Sequence, residues 1–213
     1  MVQDTAWDGY EEIPSWIMQG YGTMAMEAGE QLKEYGCERP THIFVQAGVG
    51  SLAGAVVGYF SNLYADNPPV FVVVEAEAAA CLYKGAAAGD GQIRIVDGDM
   101  ETIMAGLACG EPNTISWDIL KNHVKVFIAA PDWVAATGMR MLGAPIKGDA
   151  PVTSGESGAA PFGALAAVMS MDEYADLRKD IGLDENSRVL LFSTEGDTDP
   201  DRYKNIVWKG LDK

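Results

Sequence analysis

The sequence predicts an α/β protein built on a doubly wound, mostly parallel sheet. Predicted strands and helices alternate along the 213 residues, which is the order that parallel sheets require. Residues 70–74 are all Val or Phe, the pattern of a central strand that is buried on both faces. Residues 41–60 run from a strand through a glycine turn into a helix. No repeat or linker interrupts the chain, so we expect one domain over residues 1–213.

Local signals mark where the individual elements begin and end. Pro14 stands in the first turn of the first helix, where its missing N–H costs nothing, and Gly36 ends that helix. Two prolines at 68–69 break the chain before the strand at 70–74. The predicted helices are residues 16–35, 51–64, 78–88, 100–108, a helix that opens at 116–118, 131–142, 161–171 and 172–180, and the predicted strands are residues 42–46, 70–74, 93–96, 124–129 and 188–192.

The chain is strongly acidic, with 31 Asp and Glu against 15 Lys and Arg and a net charge of −16 at pH 7. Such a charge repels nucleic acid and anionic membranes, so we expect neither as a partner. No apolar run approaches the roughly 20 residues that span a bilayer, and no signal peptide opens the chain. These features predict a cytoplasmic protein.

The cysteines and histidines suggest no metal site. Cys37, Cys81 and Cys109 match neither a metal motif nor a disulfide framework, so free thiols are expected. A Cys81–Cys109 pair is the alternative, because both residues lie near predicted helix ends. His42 and His123 lie at predicted strand edges without evident partners, so we expect structural roles for both.

A glycine turn joins the strand at 42–46 to the following helix and predicts an anion site. Successive backbone N–H groups point outward, the helix dipole adds partial positive charge, and missing Cβ atoms let a phosphate approach closely. A tight turn that binds no ligand is the simpler alternative. The residues that would form this cradle are Gly48, Val49, Gly50, Ser51 and Leu52.

The same turn also fits a dinucleotide fingerprint. Gly48, Gly50 and Ala53 match G-x-G-x-x-A, and Glu75 ends the next strand, where a ribose-binding acid would lie. A nicotinamide-dependent oxidoreductase is therefore an alternative.

Two further segments place hydroxyls and a carboxylate at the end of an element, where open α/β sheets bind ligands. Residues 154–159 read SGESGA before a predicted helix, and residues 193–199 read STEGDTD after the last predicted strand. Together with VQDTAWDGYEEIPSWIMQGY, QAGVGSLAGAVVGYF and MAGLACGEPN, these stretches resemble the C-terminal half of the diaminopropionate ammonia-lyases. That family belongs to the fold type II pyridoxal-phosphate-dependent enzymes. The resemblance extends from Val2 to Asp199.

The resemblance implies a role for each matching residue. The backbone of the cradle at 48–52 would hold the phosphate of pyridoxal phosphate. Ser193 or Thr194 would hydrogen-bond its pyridine nitrogen, and Glu156 would lie beside its ring. Asp4 matches the aspartate that removes the α-proton from one enantiomer of 2,3-diaminopropionate, an amino-acid substrate that the family converts to pyruvate and ammonia.

Simpler interpretations of these residues remain open. Asp4 fits a surface acid near a terminus, and Glu156 fits a helix-cap acid. Ser193 and Thr194 fit a turn or cap pair, followed by the solvated acids Asp197 and Asp199.

The family's cofactor-binding lysine has no counterpart in this chain. The family binds its cofactor covalently to a lysine of the N-terminal half, and none of the lysines here lies in a matching motif. We therefore expect a fragment or a split-gene product that is inactive alone, that pairs with an N-terminal half in trans, and that forms homo-oligomers as the family does. A non-catalytic module that binds a phosphate cofactor is the alternative.

Overall fold

A four-stranded parallel sheet forms the centre of the computed structural model, which describes residues 2–212. The strands are β1 (His42–Gln46), β2 (Val70–Ala76), β3 (Val124–Ala130) and β4 (Val189–Leu191), and they lie in the order β3-β2-β1-β4. The expected parallel α/β sheet is confirmed, and the organising strand β1 lies inside it.

Helices cover both faces of the sheet. None of the helices within residues 2–212 is long and apolar enough to cross a membrane. The helices are α1 (Glu12–Glu34), α2 (Ser51–Leu63), α3 (Cys81–Ala88), α4 (Thr114–His123), α5 (Asp132–Gly143), α6 (Glu156–Ser170), α7 (Ala175–Ile181) and α8 (Pro200–Val207).

Alternate residues of the central strands enter two separate cores. Ile43 and Val45 pack with residues of α1, α2 and α4 on one face of the sheet. Phe44, between them, packs with residues of α5, α6 and α7 on the other face. Because successive side chains of a strand point to opposite faces, a sheet covered on both sides needs apolar residues at every position. This requirement explains the apolar run at residues 70–74 of β2.

Two predicted elements are absent from the structure. Residues 100–108 contain only a short 3-10 helix, Ala105–Leu107, instead of the predicted α-helix. There, the Asp132 carboxylate accepts hydrogen bonds from the Thr102 hydroxyl and the Ile103 N–H, so side chains take over backbone partners that a helix would use. Residues 93–96 form no strand, and Val96 only donates its N–H to Gly110 O at 2.9 Å.

Three helices differ most from the prediction: α1 begins at Glu12 rather than at residue 16, α6 begins early, and α8 is additional. The helix predicted from residue 161 begins at Glu156, because Pro161 lies inside α6 rather than at its start. The helix α8 was not predicted, although Asp199 caps it by accepting the Arg202 N–H at 3.0 Å and Pro200 occupies its first turn.

The helices α5 and α6 approach each other so closely that glycine is required at their contact. A Cβ atom on Gly163 would lie 1.9 Å from the Val134 carbonyl oxygen. A Cβ atom on Gly138 would lie 2.4 Å from the Ala159 carbonyl oxygen. Both obstacles are backbone atoms, so a side chain at either position must separate the helices.

We therefore expect Gly163→Ala to lower the free energy of unfolding by about 2–3 kcal/mol, the cost of overpacking a rigid contact. The matched control is Gly20→Ala in α1, where an added Cβ meets nothing within 4 Å. That control should raise the free energy of unfolding by up to about 1 kcal/mol, because alanine is the better helix former. Urea unfolding followed by circular dichroism measures both, and equal effects would contradict the packing argument.

Candidate active site

The turn between β1 and α2 builds the floor of the site. Gly50 has φ +102°, in the left-handed region, and a Cβ there would lie 2.7 Å from the Ser116 hydroxyl oxygen. No side chain caps α2, so the N–H groups of its first turn remain available to an anion. The predicted cradle therefore has the backbone geometry that an anion site needs.

A cavity of about 320 Å³ opens above this turn. Its volume lies at the lower end of the range for small-molecule sites. Its wall includes the whole predicted cradle, the two residues before it and residues from five other parts of the sequence. The lining residues are Asp4, Tyr21, Gln46, Ala47, Gly48, Val49, Gly50, Ser51, Leu52, Gly106, Leu107, Cys109, Ser157, Thr194 and Glu195.

Asp4 lies in the cavity wall beside the cradle, although 47 residues separate it from Ser51. Its backbone oxygen accepts hydrogen bonds from the Ser51 hydroxyl at 2.9 Å and from the Asn113 amide. Burial and then the charge of Asp4 raise the pKa of Tyr21, and the same two causes raise the pKa of Cys109. The Asp4 carboxylate therefore acts electrostatically on both of these cavity residues.

Only one of the two predicted hydroxyls lines the cavity. Thr194 lies in the wall, and its hydroxyl oxygen accepts a hydrogen bond from Gln46 Nε2 at 2.8 Å. Ser193 is not part of the lining and instead donates its hydroxyl to Ser154 Oγ at 2.8 Å. Gln46 Oε1 is buried and has no hydrogen-bond partner within residues 2–212, so it can accept from a ligand.

Glu156 lies at the start of α6 and is not part of the cavity lining. Its carboxylate lies 3.4 Å from Arg202 Nε, and burial raises its pKa against the influence of that cation. Glu195 lines the cavity instead, and its carboxylate accepts the Ser157 N–H at 2.8 Å. Of these two carboxylates only that of Glu195 lines the cavity, and the predicted place of Glu156 beside the cofactor ring stays a prediction.

Sequence reasoning missed several wall residues. Gln46 ends β1 and could have been found, because ligands bind at the carboxyl ends of such strands. Glu195 lies in the STEGDTD segment, whose carboxylate was expected at the ligand end without a specific role. Tyr21 projects from the middle of α1 and carries no local sequence signal.

All three cysteines are free thiols, so the alternative Cys81–Cys109 pair does not form. Cys81 lies under the cradle, with its sulfur 3.6 Å from the Cys109 carbonyl oxygen. Burial raises the pKa of Cys81 to about 12, so its thiol stays protonated near neutral pH.

Both ring nitrogens of His42 have hydrogen-bond partners, which the sequence did not indicate. Its Nε2 lies 2.9 Å from Ile181 O and its Nδ1 lies 2.8 Å from Thr41 Oγ1. The ring is buried, so the structural role that was predicted for it agrees with these contacts.

Glu75 is not available to a ribose, which removes the main support for the nicotinamide alternative. Its side chain is 1% exposed, and its two oxygens accept the N–H groups of Leu82 and Tyr83 at 2.8 and 2.7 Å. Burial raises the pKa of Glu75 to about 8 despite these two hydrogen bonds. The carboxyl caps α3 from inside the core.

Residues 6–195 match the family model described as pyridoxal-phosphate dependent enzyme. The chain belongs to this family, and the α/β fold agrees with it. Diaminopropionate ammonia-lyase from Salmonella typhimurium is 56% identical over 211 residues, which are 99% of this chain and 52% of that protein. The chain thus spans about half the length of the curated relatives that it matches.

Solved structures also superpose on this chain. The diaminopropionate ammonia-lyase of Escherichia coli, in complex with an aminoacrylate-PLP azomethine reaction intermediate, superposes with a TM-score of 0.90 at 47% identity. The match covers 99% of this chain and 53% of that one. Serine racemase from Dictyostelium discoideum superposes with a TM-score of 0.65 at 21% identity over 86% of this chain and 51% of that one, which reflects the shared fold.

The cavity fits the family's cofactor, pyridoxal phosphate. The cradle offers uncapped N–H groups to a phosphate, and any side chain at Gly50 would obstruct the turn. Thr194 offers a hydroxyl, and the unpartnered Gln46 Oε1 offers an acceptor. No lysine lies among the lining residues that residues 2–212 provide.

We expect the free energy of unfolding to fall as pH rises from about 4.5 to about 8, because the folded chain keeps a proton on Glu75 that the unfolded chain releases. This contribution is complete below the unfolded pKa and is lost as pH passes the folded value. Glu75→Gln should flatten the dependence. Urea titrations across this pH range test it. The matched control is Glu77→Gln, which changes an exposed acid and should follow the unmodified chain.

Proposed function

We propose that this chain is the cofactor-phosphate half of a lyase that converts 2,3-diaminopropionate to pyruvate and ammonia. One observation carries the proposal: Asp4, the glycine cradle and Thr194 line a single cavity. The identity of 56% to a diaminopropionate ammonia-lyase over 99% of the chain supports the same substrate. The protein would act in amino-acid catabolism in the cytoplasm, with residues 1–213 as one α/β domain.

The cradle would hold the cofactor phosphate through backbone N–H groups rather than through cations. No Lys or Arg lines the cavity within residues 2–212, while Asp4 and Glu195 do. A dianion is therefore bound by amide dipoles at the N-terminus of α2, as helix termini bind phosphates generally. The Thr194 hydroxyl would meet the pyridine nitrogen as a neutral partner, and Glu195 would order the wall beside it.

Pyridoxal phosphate, when bound, acts as the electron sink that stabilises negative charge at the substrate Cα. Asp4 would then accept the Cα proton of one substrate enantiomer on its carboxylate. Loss of the β-amino group completes the elimination, and water releases the second amine, so one diaminopropionate and one water give pyruvate and two ammonia. The place of Asp4 in the cavity wall brings its carboxylate to the side of the cavity where a base is needed.

The missing lysine would come from an N-terminal half, which we propose docks on the edge of β4. His42 N donates to Arg188 O, so the carbonyl of Arg188 faces β1. The backbone groups of successive strand residues point to alternate sides, so those of Val189 and Leu191 point away from β1. No strand within residues 2–212 pairs with that outer edge.

A groove runs along the same strand between α1 and β4. Thr194 belongs to both this groove and the cavity, so a segment docked in the groove would end at the site. The groove is lined by Met24, Glu27, Ala28, Gln31, Leu32, Tyr35, Leu190, Leu191, Phe192, Ser193 and Thr194.

A second candidate function is a module that holds pyridoxal phosphate without chemistry. The observation that favours it is the absence of lysine from the cavity wall provided by residues 2–212. Borohydride reduction followed by mass spectrometry discriminates between the two, since a covalent adduct on a lysine of the isolated chain contradicts the module. The nicotinamide alternative lacks its ribose partner, because Glu75 is buried and caps α3.

Mixing the chain with the N-terminal half of the Salmonella relative should restore a near-visible absorbance of bound cofactor and release of ammonia and pyruvate. Gly50→Ala should abolish both, because the added Cβ meets the Ser116 hydroxyl oxygen at 2.7 Å and strains a left-handed residue. The matched control is Gly58→Ala in the same helix, where the nearest atom lies at an ordinary 3.7 Å. Absence of both signals from the unmodified pair would refute the proposed lyase.

The isolated chain should associate into dimers or larger species through the outer edge of β4, because an unpaired strand edge invites pairing. Leu191→Pro removes an outward N–H and should give monomers with unchanged circular dichroism. Sedimentation at low micromolar concentration measures this. A compact monomer formed by the unmodified chain, with cooperative unfolding, would show that the edge needs no partner.

A further inference from the structure

Asn113 connects the segment around Asp4, the glycine turn and the N-terminus of α4. It precedes α4 and is fully buried, with 0% of its surface exposed. Its Oδ1 accepts the Ser116 N–H at 3.0 Å and so caps α4. Its backbone N–H donates to Val49 O at 2.7 Å, which fastens the same residue to the glycine turn.

The amide nitrogen of Asn113 uses both of its hydrogens at the site. One is donated to the backbone oxygen of Asp4, and the other to Ser51 Oγ at 2.9 Å. Ser51 Oγ donates its own hydrogen to the same Asp4 oxygen at 2.9 Å. Asp4 O, Ser51 Oγ and Asn113 Nδ2 thus form a closed triangle in which every hydrogen has an acceptor.

This triangle decides what Ser51 can offer to a phosphate. Its hydroxyl hydrogen is already donated to Asp4, so the contribution of Ser51 to the cradle is its backbone N–H. The hydroxyl instead ties the cradle to Asp4. The distance between the anion site and the carboxylate is therefore set by side chains that touch neither the phosphate nor the substrate.

We propose that Asn113 is a positioning residue that holds the Asp4 carboxylate at a fixed distance from the phosphate cradle. The proposal rests on the function proposed for Asp4. Only asparagine provides an acceptor for the α4 cap and two donors for the triangle at this buried point. Aspartate keeps the acceptor but removes both donors and sets an oxygen against the Asp4 carbonyl oxygen.

Asn113→Asp tests the proposal in the chain paired with the N-terminal half, with both enantiomers of diaminopropionate as substrates. We expect kcat to fall about 100-fold for the enantiomer that depends on Asp4, the cost of misplacing a reacting group by about 1 Å. KM, affinity for pyridoxal phosphate and kcat for the other enantiomer should stay within about twofold. Asp4→Asn should show the same selectivity with a larger loss.

Thr114→Val is the matched control. It removes the hydrogen bond from the Thr114 hydroxyl to Ala6 O, two residues from Asp4, while the Thr114 N–H still donates to that oxygen. It should leave the ratio of the kcat values for the two enantiomers unchanged. An equal loss for both enantiomers in Asn113→Asp, together with weaker cofactor binding, would overturn the proposal in favour of a general structural role.

Amide hydrogen exchange gives a second measurement that does not need activity. In Asn113→Asp, residues 4–7 should exchange at least roughly 10-fold faster, with β1 and β2 unchanged. Unchanged exchange at residues 4–7 would overturn the proposal even if the lyase is active. Faster exchange in a pair that shows no lyase activity would support the triangle while refuting the proposed function.

Discussion

The structure depends on the close contact between the glycine turn after β1 and the N-terminus of α4. A Cβ on Gly50 or on Gly54 would come within 2.7 Å of Ser116 atoms, so the two elements meet backbone to side chain with no intervening space. This contact holds Gly50 in its left-handed conformation and directs the uncapped end of α2 into the cavity. It also brings Asn113, the residue that caps α4, into contact with the turn.

The cavity offers backbone N–H groups rather than cations to an anion. The cavity wall that residues 2–212 provide contains the carboxylates of Asp4 and Glu195 and no basic side chain. Cations that held a phosphate here could instead form ion pairs with those carboxylates. Backbone N–H dipoles cannot, because the turn and the helix fix their positions. In a chain with a net charge of −16, the arrangement places a carboxylate and an uncapped helix N-terminus in the same cavity.

Sequence reasoning predicted the parts of the fold whose signals are local. The apolar run of β2 and the strand–glycine–helix pattern after Thr41 each follow from the physics of a few neighbouring residues. The helix expected at 100–108 failed because Asp132, about 30 residues away, supplies hydrogen bonds that compete with it. Tertiary partners of this kind leave no trace in a local pattern.

The same distinction applies to the site. The cradle and Asp4 could be named from their motifs, but only the structure shows that Thr194 lines the cavity while the Ser193 hydroxyl bonds to Ser154. The ion pair of Glu156 could not be predicted either, since its partner Arg202 lies in the unpredicted helix α8.

The triangle at Asn113 also has a consequence for the order in which the chain folds. Asn113 and Asp4 are 109 residues apart, whereas the glycine turn forms between adjacent elements. Contacts that close long loops form late, because the entropy of the intervening chain must be lost first. The β1–turn–α2 unit joins neighbouring elements and can therefore form early, whereas the contact of Asp4 with this turn is made late in folding.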